Sequence, residues 1–295
     1  MADQTVSAIA PAKINLYLHV VGKRSDGYHF LDSLVVFAGL QDLISAAPAK
    51  DLSLAIDGPF SAGLPKANDN LVLKTARQLT KAMDVRKGAA IRLTKRLPVA
   101  AGMGGGSADA AAALKILARL WNLNPANDAL MGLAARLGVD VPVCLNGQAA
   151  FVGGIGEKIT AAPPLPPAWL VLVNPGVALS TPEVFGHCNG DFSKEARFTD
   201  AVSTAEDLAA VLQTRGNDLT EAATALEPVI GDVLEALNAS QGALLARMTG
   251  SGSTCFGLFA DPDTATRAAT ALTQNHPGWW VKAASLVSDT TRPAN

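Results

Sequence analysis

Pro98-Val99-Ala100-Ala101-Gly102-Met103-Gly104-Gly105-Gly106-Ser107-Ala108 is the stretch that decides how this chain folds. Four glycines fall in the five positions from Gly102 to Gly106, and a helical pattern begins at once behind them. Glycine lets a backbone approach a ligand closely. A helix N-terminus adds unpaired N–H groups and about half a positive charge, and together these form a nest for phosphate. Two familiar phosphate loops do not fit. A dinucleotide fingerprint counted from Gly102 needs glycine where Ser107 stands, and a Walker A loop needs Gly-Lys where Ser107-Ala108 stands. The plainer reading is a flexible loop capped by Ser107, a good N-cap residue. Asp109 suits the helix dipole, yet would repel a phosphate if it faced the loop.

Working outward, Ala90–Thr94 alternates as a strand leading into the loop, and Asn70–Met83 reads as a helix. Behind the loop, Leu114, Leu117, Ala118 and Trp121 recur at helical spacing among alanines. A further helix carries Leu130, Leu133, Ala134 and Leu137, with Gly138 as its stop and Val139-Asp140-Val141-Pro142 following. Toward the N-terminus, Ile14, Leu16, Leu18 and Val20 line one face of a strand, and Lys13, Asn15, Tyr17 and His19 line the other. The turn-rich Gly22–Gly27 ends it, and Ser33–Ala46 and Leu52–Ile56 read as further strands. Ala149–Val152 is a short strand, and the tract Ala162-Pro163-Pro164-Leu165-Pro166-Pro167 is the best candidate for a domain boundary. Beyond it, strands are expected at Leu170–Val173, Thr254–Phe259 and Trp280–Ala284, with helices at Glu206–Gln213, Val229–Leu237 and Thr264–Leu272. That order suggests a small α+β domain.

Bulk properties narrow the function classes. A length of 295 residues suggests two domains, 1–162 and 163–295, and an apolar fraction of 49% is ample for their cores. The net charge of −2 lacks the basic excess of a nucleic-acid binder. No apolar run is long enough for a membrane span, and Met1–Ala12 shows no signal-peptide pattern. Cys144, Cys188 and Cys255 are far apart and odd in number, so they read as reduced thiols. A soluble cytoplasmic protein is expected, with monomer and homodimer both open.

Other segments carry chemistry less specifically. Lys13 and Asn15 read either as functional groups or as solvated residues of an exposed strand face. Asp140 lies in a turn, where an aspartate commonly bonds its own backbone; between Val139 and Val141 it also suits a partly desolvated base. Thr249-Gly250-Ser251-Gly252-Ser253 is either a second backbone site for phosphate or a tight turn. Neither a GxSxG elbow nor an HExxH helix occurs, and four histidines scattered at 19, 29, 187 and 276 make no metal cluster.

Taken together, Pro11–Leu16, Pro98–Ala108 and Thr249–Cys255 resemble the three motifs of the GHMP kinases, in order and spacing. Arg24–His29, Asp69-Asn70-Leu71, Leu137–Pro142 and Asn174-Pro175-Gly176 resemble the members acting on a cytidine diphosphate-linked methylerythritol. The resemblance spans about Ala10 to Phe259. It implies an α+β, two-domain GHMP kinase fold, with an N-terminal domain like domain 2 of ribosomal protein S5 and a ferredoxin-like C-terminal domain. The active site would lie in the interdomain cleft. It implies ATP along Pro98–Ala108, with Asn70 and Lys95 near the adenosine, and Mg²⁺ with unassigned ligands. Asp140 would take the proton of a tertiary hydroxyl, and Lys13 would steady Asp140 and the transferring phosphoryl. Asn15 would position the substrate. Tyr28 and Phe185 would sandwich the cytosine, with His29 on its edge and Thr181 nearby, while Gly250, Ser251 and Gly252 would meet the diphosphate end. Relatives often carry a second serine after Ser107; here Ala108 replaces it. A different GHMP alcohol kinase, a decarboxylase and a non-catalytic binder are the rival readings.

Overall fold

The computed structural model describes residues 5–64, 69–124, 126–188 and 191–291. The outer ends of the two expected domains, at Met1 and Asn295, and the first residues of the stretch Met1–Ala12 therefore lie outside the described residues. In chain order the strands and helices are β1 (Val6–Lys23), β2 (His29–Ala49), β3 (Leu52–Asp57), α1 (Leu71–Ala82), β4 (Gly88–Thr94), α2 (Gly105–Leu120), α3 (Asn127–Leu137) and α4 (Val141–Asn146). There follow β5 (Ala150–Gly154), β6 (Lys158–Ala161), β7 (Trp169–Asn174), α5 (Thr181–Gly186), α6 (Ala205–Gln213), α7 (Thr220–Leu226) and α8 (Val229–Asn238). The chain closes with β8 (Leu245–Met248), β9 (Cys255–Phe259), α9 (Pro262–Asn275) and β10 (Trp280–Val287). Among the described residues no helix is long and apolar enough to cross a membrane.

The chain packs as two compact units that interleave along the sequence. One takes the residues up to Ala12, Leu40–Val99 and Gly104–Asn146; the other takes Lys13–Gly39, Ala100–Met103 and everything from Gly147 onward. This line differs from the expected boundary at the proline tract, which lies wholly within the second unit. The reason is strand length. β1 and β2 run for 18 and 21 residues, long enough for each to give its two halves to different cores.

In the first unit β3 runs parallel to β4, with Leu52 opposite Ala89 and Asp57 opposite Thr94. β4 is antiparallel to the second half of β2, pairing Leu43 with Thr94 and Ala49 with Gly88. Helix α1 starts on Asn70, whose side chain accepts from the Val72 N–H, an N-cap that satisfies one orphan donor. α1 packs on α2, and α2 packs on α4. Pro142, which follows the Gly138 stop, sits in the first turn of α4, where its missing N–H costs nothing.

In the second unit the first half of β2 pairs with β5, Leu31 opposite Gly154 and Val35 opposite Ala150, and β5 pairs with β6. Phe37 and Ala38 pair with the end of β10, and β10, β7, β9 and β8 continue antiparallel. Val171, Val173, Phe259, Val233, Leu237, Ala265 and Leu272 fill one core cluster with Leu18 and Val20 of β1. The sequence reading located β7, β9, α6, α8 and α9. It did not foresee the short elements β6, β8, α5 and α7, whose few residues carry too little periodicity to announce them.

The polar row on β1 is not a solvated face. Lys13, Asn15 and His19 are buried, and Tyr17 is wholly so. Tyr17 Oη donates to Asp32 Oδ2 at 2.9 Å, and burial together with that carboxylate raises the phenol's pKa, keeping it a donor. His19 Nε2 accepts from the Gly216 N–H at 3.1 Å, so Nδ1 carries the proton that meets Lys194 O at 3.0 Å. Arg247 completes the frame with bonds of 2.6, 2.9 and 2.7 Å to the carbonyls of Leu16, Leu212 and Arg215. Burial, with Arg215 adding to it, lowers its pKa to about 10, which leaves it charged at neutral pH. We expect Arg247→Met to cost about 3 kcal/mol by stranding these carbonyls. A urea midpoint unchanged from wild type would show that the three bonds contribute nothing net.

Candidate active site

The glycine-rich loop is held in left-handed backbone at Ala100 (φ +53°), Gly102 (+73°) and Gly104 (+59°). For alanine that conformation is uncommon. Helix α2 begins at Gly105 with Gly104 at its N-cap and without a side-chain cap. Ser107 is therefore not the cap that the plainer reading assigned to it; it lies in the first turn, partly exposed. The N–H groups of this turn are the orphans every helix start leaves. They are positioned, with the positive end of the dipole, to receive an anion. Ala108, where a second serine was expected, is 2% exposed, so a hydroxyl there would point into the core and Ser107 keeps the accessible one. Ala101 and Met103 are also buried and offer only backbone.

Beneath this turn, in the first unit, lies a charge cluster. Lys95 Nζ is 2.5 Å from Asp42 Oδ2 and 2.7 Å from Asp109 Oδ2, all three side chains being buried. Asp42 Oδ1 accepts the N–H groups of Arg96 and Leu97 at 2.5 and 2.9 Å, which fixes the chain entering the loop. Asp109 lies in α2, so Lys95 ties the entry of the loop to its exit. Burial raises the pKa of Asp109, opposed by Lys95 and assisted by the charge of Asp42. Burial would lower the Lys95 ammonium, but Asp109 and Asp42 outweigh it and raise its pKa. Asp109 is thus buried against Lys95 rather than exposed at the loop. The expectation that Lys95 lies against adenosine meets the same geometry. Its ammonium is engaged by two carboxylates, and its N–H and carbonyl bond Asp57 and Phe60.

In the second unit the loop is buttressed by Thr249–Ser253. A Cβ at Gly102 would lie 2.5 Å from Thr249 O, and one at Gly250 would lie 2.5 Å from Gly102 O; both residues have positive φ. Backbone rests on backbone, with no space for a side chain. Lys13 N donates to Met103 O at 2.9 Å, and Thr254 N to Ala101 O at 3.3 Å. Asn15 N donates to Thr249 Oγ1 at 2.9 Å. Gly250, Ser251 and Gly252 are buried, and Ser251 Oγ pairs with Thr181 Oγ1 at 2.8 Å. The segment left open between phosphate site and turn is, in this arrangement, first a support.

The residues expected around a nucleobase divide by exposure. Tyr28 is 57% exposed, and His29 is buried. The His29 ring stacks on Phe185, with centroids 5.1 Å apart and planes 24° from parallel. His29 Nε2 finds no hydrogen-bond partner among the described residues. Burial, then the charge of Lys23, lowers its pKa and keeps it neutral. One face of His29 is thus occupied by Phe185, while its buried Nε2 is left without a partner among the described residues. Asp140, in the first unit, is half-buried ahead of α4, where its carbonyl accepts from Cys144 N at 3.2 Å. Asn70 acts as the α1 cap already described. Asp42 and Ser33 were missed in the sequence. Each does carry a signal, since a polar residue within a largely apolar strand demands a partner when buried.

With this geometry in place, the chain was compared with known proteins. Residues 70–148 match the GHMP kinases N terminal domain and residues 200–278 the GHMP kinases C terminal domain. A Paramagnetospirillum magneticum protein named 4-diphosphocytidyl-2-C-methyl-D-erythritol kinase is 56% identical over 279 residues, 95% of this chain and 98% of the relative. A Rhodospirillum rubrum protein of the same name is 51% identical over 291 residues, 99% of this chain and 95% of the relative. A crystal structure of 4-(cytidine 5'-diphospho)-2C-methyl-D-erythritol kinase superposes with TM-score 0.76 at 34% identity, covering 96% of this chain and 99% of that one. Homoserine kinase from Cytophaga hutchinsonii shares the fold at TM-score 0.76 with 16% identity, covering 98% and 97%.

The buried cluster has a pH signature. A carboxylate whose folded pKa is raised contributes a destabilisation that grows as pH rises from about 4 through the folded value. Asp109→Asn removes that dependence. Its stability relative to wild type should therefore improve between pH 5 and pH 8, as read from urea midpoints; a constant difference would mean that Asp109 does not titrate there.

Proposed function

The chain belongs to the GHMP kinases, with the 4-diphosphocytidyl-2-C-methyl-D-erythritol kinases as its family within them. On that premise we propose that it transfers the γ-phosphoryl group of ATP to the tertiary 2-hydroxyl of 4-diphosphocytidyl-2-C-methyl-D-erythritol. The products are the 2-phosphate and ADP, on the methylerythritol phosphate route to isoprenoids. The observation that carries the reading is the uncapped first turn of α2 behind the glycine-rich loop, in a chain 56% identical to a kinase of that name. We also propose 1–162 and 163–295 as the family's N- and C-terminal domains, a reading supported by the two family matches, 70–148 and 200–278, falling on either side of the proline tract. Cys144 and Cys255, buried and outside any disulfide, suit a reducing, cytoplasmic setting.

In this reading the N–H groups from Gly104 to Ser107 hold the triphosphate, and Pro98–Ala101 and Asn70 border the nucleoside. Lys95 acts from below, by fixing the loop. Asp140 takes the hydroxyl proton as the substrate oxygen bonds the γ-phosphorus. The bond from that phosphorus to the β–γ bridging oxygen breaks, and its electron pair leaves with ADP. Lys13 supplies positive charge for the transferring group. Mg²⁺ typically binds through substrate phosphates and few protein groups. Among the described residues no group of three or more His, Cys, Asp or Glu is placed to hold a metal ion. The ion would neutralise charge on the phosphates; its protein ligands are unassigned. Tyr28 offers its exposed ring and His29 its unpartnered Nε2 to the cytosine, beside Phe185 and Thr181. Gly250–Gly252 support the loop and border the diphosphate.

ADP release should follow addition of the diphosphocytidyl alcohol and not of homoserine, mevalonate or galactose; turnover of another alcohol alone would overturn the substrate assignment. Asp140→Asn should lower kcat by about 100-fold or more with ATP affinity nearly unchanged. A near-normal kcat would remove Asp140 from the base role. Tyr28→Ala should chiefly raise KM for the alcohol, and an unchanged KM would count against stacking.

A further inference from the structure

Asn15 carries an amide whose orientation is decided by a residue that the reaction does not itself require. Ser33 Oγ has one proton, and it is donated to Tyr17 O at 2.6 Å. Toward Asn15, 2.7 Å away, Ser33 Oγ is left as an acceptor, so the Asn15 atom facing it is Nδ2. A reversed amide would set Oδ1 against an oxygen with no proton to give. The main chain of Asn15 is held independently by Thr249 Oγ1. Oδ1 is consequently fixed on the far side of the amide, where it is buried and has no hydrogen-bond partner among the described residues. Buried acceptors without partners are rare in folded proteins, and a functional use is one of the few reasons for keeping one.

We propose that Ser33 is a positioning residue for the alcohol substrate, locking Asn15 so that its Oδ1 accepts a hydrogen bond from a substrate hydroxyl. This rests on the kinase reading above. An amide oxygen welcomes an O–H and disfavours a carboxylate or phosphate oxygen at the same place. The lock would therefore distinguish a polyol from a deoxy or anionic analogue, the kind of discrimination in which a site built to bond a hydroxyl excels. With the lock removed, the amide turns freely and presents Nδ2 part of the time.

The test compares wild type, Ser33→Ala, Asn15→Ala and the double variant, measuring KM for the alcohol and for ATP together with the melting midpoint. Ser33→Ala should raise the alcohol KM about 5–10-fold and leave the ATP KM within about 2-fold. In the Asn15→Ala background it should add nothing, because its effect passes through Asn15. Ser33→Thr, which keeps the hydroxyl, should restore the wild-type KM. Effects that add in the double variant, or an ATP KM that moves with the alcohol KM, would make Ser33 merely structural and overturn the proposal. So would an unchanged alcohol KM in Ser33→Ala. If wild type itself fails to turn over the alcohol while binding ATP, the kinase assignment fails first, a result distinct from each of these.

Discussion

The row Lys13, Asn15, Tyr17 and His19 imposes the central constraint on the second unit: a strand with polar groups on one face has both faces buried. Each of those groups must find a partner or cost about 1–3 kcal/mol. The molecule meets the requirement for Asn15 Nδ2, Tyr17 and His19 with Ser33, Asp32, the carbonyl of Lys194 and the N–H of Gly216, and leaves Asn15 Oδ1 without a partner among the described residues. These partners come from β2, from the irregular segment ahead of α6 and from the turn between α6 and α7, and so tie together elements distant in sequence. The irregular segment is itself secured, with Ala196 N and Arg197 Nε both on Asp32 at 2.8 and 2.7 Å. Pairing polar groups on one strand thus organises the surroundings of the candidate substrate residues.

Charge is handled differently in the two units. The first buries two carboxylates around one ammonium beneath the start of α2. That leaves a proton to be shared, and a raised acid at Asp109. The second buries Arg247 without a carboxylate and neutralises it with three carbonyl dipoles. A guanidinium tolerates that arrangement because its charge is spread and its donors are fixed in a fork. An ammonium in the same place would lose more hydration than three carbonyls return. Both devices hold backbone near the glycine-rich loop: one at its two stems, the other at the strand that bonds Met103.

Much of this was legible in the residues. Alternation marked β1 and β4, and helical spacing marked α2 and α3, while β7 and β9 were read as strands although they are short and buried on both faces. The loop announced itself through composition, and the order of three motifs named the family. The polar face of β1 was not legible as buried. Alternation reports that two faces differ, and says nothing of what later packs on the second one. Lys95 shows a related limit: a lysine beside a phosphate loop suggests a ligand contact, and nothing local reveals that Asp42, on another strand, engages its ammonium. The proline tract signalled a boundary that long strands β1 and β2 override as a division of packing.

Gly102 and Gly250 touch backbone to backbone with positive φ on both sides, so each forbids a side chain on the other. Over evolutionary time neither position can drift alone, because any replacement needs the opposite loop to retreat first. The pair also limits redesign. Efforts to reshape the nucleotide end of this enzyme by substitution within the glycine-rich loop will be felt in the turn before β9. Libraries that vary one segment while freezing the other will return mainly unfolded chains. Varied jointly, the two segments become a single designable element, with the reach of that element set by the main chain of β1.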